Sequence, residues 1–319
     1  MTDARVPAAE PVCSRYPTSS TGLTVGRFLR ALRLPFCFSS VLPYVFGALL
    51  AVGEWHWFRF ALGFGVVLCT HLAANLVDDY ADSASGVDDY DHTHYGLFGG
   101  SKLIQEGVLS PQWYFRAAVS FAGIAAAGAA MLGVLMRQWE VPAWFAAVLA
   151  VAWMYSHGPF RLAYHGLGEL TIVLTFGPAA VVGGAYIQQG ARPGWSVVAA
   201  SLPMGLLVAA ILVMNEIPDA PDDASGNKRT LVVRLGAARG WLLLAGVLAS
   251  IYLLIVALVA AGVVSPWALG SLATVPLAVS AVRGARRDVG DKRRLMRSSR
   301  KVILIQLLAG LSLVVGAAT

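Results

Sequence analysis

Residues 75–86 read NLVDDYADSASG and residues 215–226 read NEIPDAPDDASG, and placed one above the other they agree at six of twelve positions. The shared positions include the Asn, both Asp of an i, i+4, i+7 set and the closing Ala-Ser-Gly. On a helix turning 100° per residue, Asn75, Asp79 and Asp82 fall within an arc of about 60°, so their side chains can converge on one ligand. In the second copy Pro218 and Pro221 argue that the chain leaves regular helix early.

Each copy closes a long apolar stretch, and such stretches dominate the chain. Of 319 residues, 57% are apolar and only 13% charged, whereas about a quarter of a soluble domain is charged. About 20 apolar residues at 1.5 Å rise are needed to cross a hydrocarbon core of roughly 30 Å. That measure predicts an all-α, polytopic membrane bundle of nine spans, near 36–53, 58–77, 114–136, 139–157, 168–189, 196–216, 239–262, 264–282 and 301–318. Pro43, Pro178, Pro203 and Pro276 do not veto these helices, because neighbouring segments in a membrane satisfy the freed backbone groups.

Lys and Arg placement tests the topology separately, since positive charge is retained in short cytoplasmic loops. With the N-terminus inside, 21 of the 24 basic residues fall on the inner side, and only Arg59, Arg137 and Arg192 fall outside. Both aspartate segments, four spans apart, then end on the same cytoplasmic face, as an internally duplicated bundle requires. The net charge of +6 is concentrated at 286–301, RRDVGDKRRLMRSSRK, directly before the last span. A juxtamembrane run of this kind sets topology and touches anionic membrane lipid, so nucleic acid is not an expected partner. Residues 1–34 read as a flexible cytoplasmic tail ending in a short amphipathic approach to the membrane, and 35–319 as the membrane domain. Cys13, Cys37 and Cys69 are odd in number and lack metal-site spacing, which predicts neither a disulfide nor a zinc site.

Carboxylates at a membrane boundary are costly unless they pair or bind cations. Either acidic segment alone could be an ordinary solvated loop, but two matched ones on one face, beside cationic loops, suit a diphosphate held through Mg²⁺. Lys102, Arg161, Lys228 and Arg229 lie in the same loops as basic partners for phosphate oxygens. His71, inside an apolar span, reads as a packed or hydrogen-bonded histidine. His92 and His94 beside Asp91 read as a polar loop, and the nine Trp as interfacial belts.

These segments resemble the UbiA superfamily of intramembrane prenyltransferases, from about Arg27 onward, and most nearly its 1,4-dihydroxy-2-naphthoate branch of menaquinone synthesis. The likeness rests on NLVDDYADSASGVD at 75–88, GGSKLIQEGVLSP at 99–111, YSHGPFRLAYHGLGEL at 155–170 and NEIPDAPDDASGNKRTLVVRLG at 215–236. The wider superfamily pattern has Asp where Leu76 and Ser83 stand, which favours that branch. The resemblance implies a central cavity open to the cytoplasm, a lateral route for a lipid chain and two Mg²⁺ ions. By it, Asp79 and Asp82 serve the first ion, and Asp219 and Asp223 the second. Asn75 and Asn215 orient ligands, Tyr155 borders the cavity, and Lys102, Arg161, Lys228 and Arg229 hold phosphate oxygens. The expected substrates are a polyprenyl diphosphate and an aromatic acceptor.

Three alternatives stay open at this point: a terpene cyclase of the same fold, another acceptor, or a transporter of Mg²⁺ or lipid diphosphate. The transporter is disfavoured because no line of ionisable residues runs through the middle of the spans. Acceptor, chain length and oligomeric state are not written near the aspartates. In a chain freed of its own cysteines, Gly290→Cys should be labelled by a membrane-impermeant maleimide only after permeabilisation, and Pro193→Cys in intact cells. The reverse pattern would put both aspartate segments on the wrong face.

Overall fold

The computed structural model describes residues 24–89 and 93–319, and among them there is helix and no strand. The helices are α1 (Val25–Ala31), α2 (Phe38–Leu49), α3 (Trp57–Ser85), α4 (Pro111–Met136), α5 (Glu140–Ser156) and α6 (Gly168–Gln189). They continue with α7 (Trp195–Ser225), the short α8 (Leu231–Leu235), α9 (Gly240–Ala260), α10 (Pro266–Arg287) and α11 (Lys292–Ala318). Among the described residues seven are long and apolar enough to cross a membrane, namely α3, α4, α6, α7, α9, α10 and α11. An eighth is gained if the pair Val25–Ala31 and Leu34–Leu49, bent by 43°, counts as one, while α5 is apolar but shorter.

Local chemistry fixes several ends. Ser110 caps α4, accepting from the Trp113 N–H at 3.2 Å ahead of Pro111 in the first turn. Asp291 caps α11 by accepting from the Arg294 N–H at 3.0 Å. Gly86 closes α3 in the left-handed region at φ 79°.

The second aspartate segment departs from expectation, because α7 runs without a break to Ser225 through Pro203, Pro218 and Pro221. Pro218 and Pro221 each remove one backbone donor, freeing the Met214 and Ile217 carbonyls, and the flanking bonds hold the helix. Residues 1–23 of the expected tail, with Cys13, lie outside the described residues, as do Asp91 and His92. Residues 24–34 carry α1, and Ala31 and Leu32 are buried against the Leu72, Leu76 and Tyr114 cluster of α3 and α4.

α7 is the inner helix: 67% of its most apolar window is buried, against 22–39% in the other six long helices. It packs against α9, α11 and α6, and α2 packs against α6. Trp57, Trp139, Trp195 and Trp267 are exposed at helix ends away from the aspartates, as an interfacial belt requires.

Two crossings rely on backbone contact at glycine, the usual means of close helix approach in membranes. A Cβ on Gly47 of α2 would collide with the Val181 carbonyl of α6, and one on Gly184 would lie 2.5 Å from the Tyr44 carbonyl. A Cβ on Gly205 of α7 would collide with the Val173 carbonyl of α6. Gly47→Val and Gly205→Val should therefore each destabilise the detergent-solubilised protein by about 1–3 kcal/mol or more. Gly246→Ala, which meets nothing within 4 Å, should not lower the thermal midpoint. Equal midpoints for all three would contradict this packing.

Candidate active site

The last turns of α3 and α7 present their carboxylates to one volume, and two loops are drawn between them. The loop at 99–102 is wound by left-handed residues, with φ of 72° at Gly99, 73° at Gly100 and 59° at Lys102. Glycine is needed there, since a Cβ on Gly100 would stand 3.1 Å from both Arg33 Nη2 and Asp79 Oδ1. So wound, the loop points the Gly99 N–H at Asp219 Oδ2 (3.1 Å) and the Ser101 N–H at Asp79 Oδ2 (3.3 Å). Lys102 Nζ donates to Asp88 Oδ1 at 2.8 Å. One loop thus touches both aspartate segments.

The loop after α7 does the same through Lys228, whose Nζ lies 3.0 Å from Asp82 Oδ2 and 3.8 Å from Asp223 Oδ1. Tyr164 OH donates to the other Asp82 oxygen at 2.6 Å. Arg33 binds Asp79 through Nη2 and reaches Asp78 through Nη1 at 3.4 Å, and Ser156 Oγ donates to Asp78. Lys292 Nζ donates to Asp222 Oδ2 at 2.6 Å. Outside the spans, burial and then Asp82 push the Asp88 carboxyl up to about 7, against the pull of Lys102. Burial pulls the Lys228 ammonium down, but Asp82 and Asp223 outweigh it and raise it.

These groups line a cavity of about 650 Å³. Seven carboxyl side chains border it (Asp78, Asp82, Asp88, Glu216, Asp219, Asp222 and Asp223) against four Lys or Arg (Arg30, Arg33, Lys102 and Lys228). A narrower, mainly apolar cavity of about 160 Å³ runs between α3, α5 and α6. The two share His71, Asn75, Asp78, Tyr155, Ile172 and Phe176. Part of the α6 wall is a π-helical turn, Thr175–Ala179, around Pro178, whose missing N–H a widened turn accommodates.

Of the residues expected from sequence, Asn75, Asp82, Lys102, Tyr155, Asn215, Asp219, Asp223 and Lys228 line the larger cavity. Asp79 stands just behind the wall, 3% exposed and held by Arg33 and Ser101. Arg161 and Arg229 are not among the lining residues. The Arg161 guanidinium lies 3.5 Å over the Tyr164 ring, and Arg229 Nε is 3.4 Å from Asn227 Oδ1. Sequence reading missed Arg33, Asp78, Asp88, Glu216 and Asp222 as lining residues. The signal for Asp78 and Asp222 was present, since each sits within an aspartate motif beside a chosen residue.

Among the described residues no three His, Cys, Asp or Glu side chains form a ready-made metal cage. The donors are nevertheless all hard oxygens, and the Asn215 Oδ1 atom is buried with no hydrogen-bond partner. Such a set fits Mg²⁺, which takes one or two carboxylates and completes its shell from water and phosphate.

Comparison with known proteins places this geometry. The chain is 31% identical over 255 residues to a 1,4-dihydroxy-2-naphthoate octaprenyltransferase of Mycobacterium tuberculosis, covering 79% of this chain and 84% of that one. It is 29% identical over 269 residues to a 2-carboxy-1,4-naphthoquinone phytyltransferase of Synechocystis, covering 80% and 81%. A solved UbiA homolog from Archaeoglobus fulgidus, bound to GPP and Mg²⁺, matches the fold with a TM-score of 0.60 at 16% identity, covering 91% of this chain and 99% of that one. The family model described as UbiA prenyltransferase family matches residues 40–305, and this multi-pass membrane chain belongs to that family.

Proposed function

We propose that this chain is a nine-span membrane enzyme that moves a polyprenyl group from its diphosphate onto 1,4-dihydroxy-2-naphthoate, with Mg²⁺, as in menaquinone synthesis. In this reading residues 35–319 form one membrane domain whose aspartate end opens to the cytoplasm. The observation that carries it is the charge balance of the 650 Å³ cavity, seven carboxyl groups against four cations, joined to an apolar cavity at its inner end. A surplus of carboxylates cannot receive a polyanion alone but can receive one accompanied by divalent cations. The M. tuberculosis and Synechocystis relatives are named for naphthoate prenylation, and the A. fulgidus neighbour holds GPP and Mg²⁺.

Two Mg²⁺ ions, held by Asp79 and Asp82 on one side and by Asp219 and Asp223 on the other, would neutralise charge developing on the departing diphosphate. Lys102 and Lys228 donate to phosphate oxygens, while Asn75 and Asn215 orient the ligand. Asp79, held by Arg33 and by the Ser101 N–H just behind the wall, would serve a metal only in exchange for its Arg33 contact. Arg161 and Arg229 stand one contact further out, with Arg161 reaching the site through Tyr164. The prenyl tail lies in the apolar cavity, and Trp144, which lines it and is 45% exposed, marks its lateral mouth between α5 and α6. Tyr155 borders the reacting carbon. The water-poor wall around it favours capture of the allylic cation by the electron-rich ring, followed by loss of CO₂.

Asp219→Asn and Asp82→Asn should each lower turnover about 10²-fold or more at saturating Mg²⁺ while the purified protein keeps its elution profile. Near-normal turnover in either would sink the two-metal assignment. Lys228→Ala should weaken prenyl diphosphate binding by about 1.5–3 kcal/mol, read as a rise in Kd of at least tenfold. Mass spectrometry of reactions with 1,4-dihydroxy-2-naphthoate should find a prenylated, decarboxylated naphthoquinol. Equal consumption of prenyl diphosphate without acceptor, with release of a cyclic hydrocarbon, would overturn the transferase reading.

A further inference from the structure

His71 sits near the middle of α3, one turn below Asn75, in a stretch where ionisable side chains are costly. Asn75, Asp78 and Asp82 follow it at i+4, i+7 and i+11, on one helix face. The aspartates take the outer part of that face, and His71 takes the inner part. It lines both cavities, at the junction of the carboxylate-lined one with the apolar one. The side chain is 8% exposed, and its Nε2 is buried with no hydrogen-bond partner. Nδ1 is committed to Ser40 Oγ at 2.7 Å.

A buried, unpartnered polar atom is unfavourable by roughly 1–3 kcal/mol unless something satisfies it. The other groups at the junction are Asn75 and Asp78 of α3, Tyr155 of α5, and the apolar Ile172 and Phe176 of α6. Arg33, from the turn between α1 and α2, lines the larger cavity. Asp78 is already engaged by Ser156 and Arg33, which leaves His71 Nε2 as an uncommitted nitrogen where the two cavities join.

We propose that His71 Nε2 receives the proton of a ring hydroxyl of the aromatic acceptor, with Ser40 holding the imidazole in the tautomer that leaves Nε2 unprotonated. The inference rests on the transferase reading above. Nδ1–H donates to Ser40 Oγ, so the Nε2 lone pair faces the hydroxyl. As the O–H proton moves to Nε2, the electron pair released into the ring forms the new C–C bond from the carboxylate-bearing carbon beside that oxygen to the allylic carbon. The allylic C–O bond breaks with its electron pair on the diphosphate. The ring then carries a carbonyl beside the carboxylate-bearing carbon, and loss of CO₂ returns an electron pair to that oxygen, which recovers the proton from the imidazolium. No outside oxidant or base is consumed.

The test uses the full-length purified chain, geranylgeranyl diphosphate, and two acceptors: 1,4-dihydroxy-2-naphthoate and its 1,4-dimethoxy analogue, which has no hydroxyl proton to give. In His71→Phe, kcat with the dihydroxy acceptor should fall about 10²-fold, while Kd for geranylgeranyl diphosphate changes by less than about twofold. Ser40→Ala should lose about fivefold in kcat, since the tautomer is no longer fixed. The wild-type preference for the dihydroxy acceptor should collapse in His71→Phe, a change that loss of packing alone would not produce. If His71→Phe keeps kcat within about threefold, or keeps the preference, while the wild type transfers normally, this inference fails alone. If the wild type transfers to neither acceptor, the transferase reading fails and takes this inference with it.

Discussion

The constraint on which the aspartate end depends is that buried carboxylates need partners close at hand. Lys228 meets it most directly, standing between Asp82 of α3 and Asp223 of α7 with its own side chain only 14% exposed. Removing one member of such a buried set leaves an uncompensated charge and costs about 3–5 kcal/mol, whereas an exposed pair is worth a fraction of that. The two halves of the bundle are therefore tied at one end by charge and along their length by close glycine contacts. The Arg192–Glu140 pair at the opposite end, 83% and 57% exposed, ties nothing comparable.

The same requirement shapes the loops. A backbone segment can offer its N–H groups to carboxylates on two different helices only if it turns sharply, and the 99–102 loop achieves this with positive φ at Gly99, Gly100 and Lys102. Lys102 is not a glycine, and a side chain in the left-handed region is mildly strained. Its ammonium is held by the Asp88 carboxylate and the Asp88 carbonyl, at 2.8 and 3.2 Å, which offsets that strain. Glu169 plays a quieter part, accepting from the Leu231 N–H at 2.7 Å and so fixing the start of α8 just beyond the Lys228 loop.

Much of the architecture was legible because it follows from one-dimensional signals. Apolar run length locates the helices, and the repeated NxxxDxxD spacing puts two acidic faces at one end. The legible part stops where helix rotation and loop path decide. Asp78 and Asp79 stand about 100° apart on α3, and whether one or the other meets the cavity depends on how α3 rolls against α4, which residue spacing does not record. Arg33 was invisible as a site residue because it precedes the first span and reaches the cavity only through the bend between α1 and α2. Arg161 was misplaced for the opposite reason. It lies in a motif loop, but a left-handed backbone at φ 41° turns it onto Tyr164 rather than into the cavity. The prolines of the second segment misled because a rule for soluble helices was applied where neighbouring helices support the backbone.

The pairing of fixed cations with carboxylates also sets how ligands must enter. Lys228 and Lys102 are engaged with Asp82, Asp223 and Asp88, so a diphosphate that takes up either ammonium leaves a carboxylate without its counter-charge. In a medium of low effective dielectric that carboxylate needs a replacement cation before the exchange becomes favourable. A divalent metal entering alone meets the converse problem, because the ammonium groups repel it from the carboxylates they hold. In the proposed two-metal reading, metal and diphosphate arriving together would satisfy both sets at once, the metals taking the aspartates and the lysines taking the phosphate oxygens. On that reading the two binding events would be coupled through shared side chains, each raising the affinity for the other by the same factor. The seven-to-four excess of carboxyl groups over cations in the cavity wall would spread that coupling over the wall rather than rest it on any single residue.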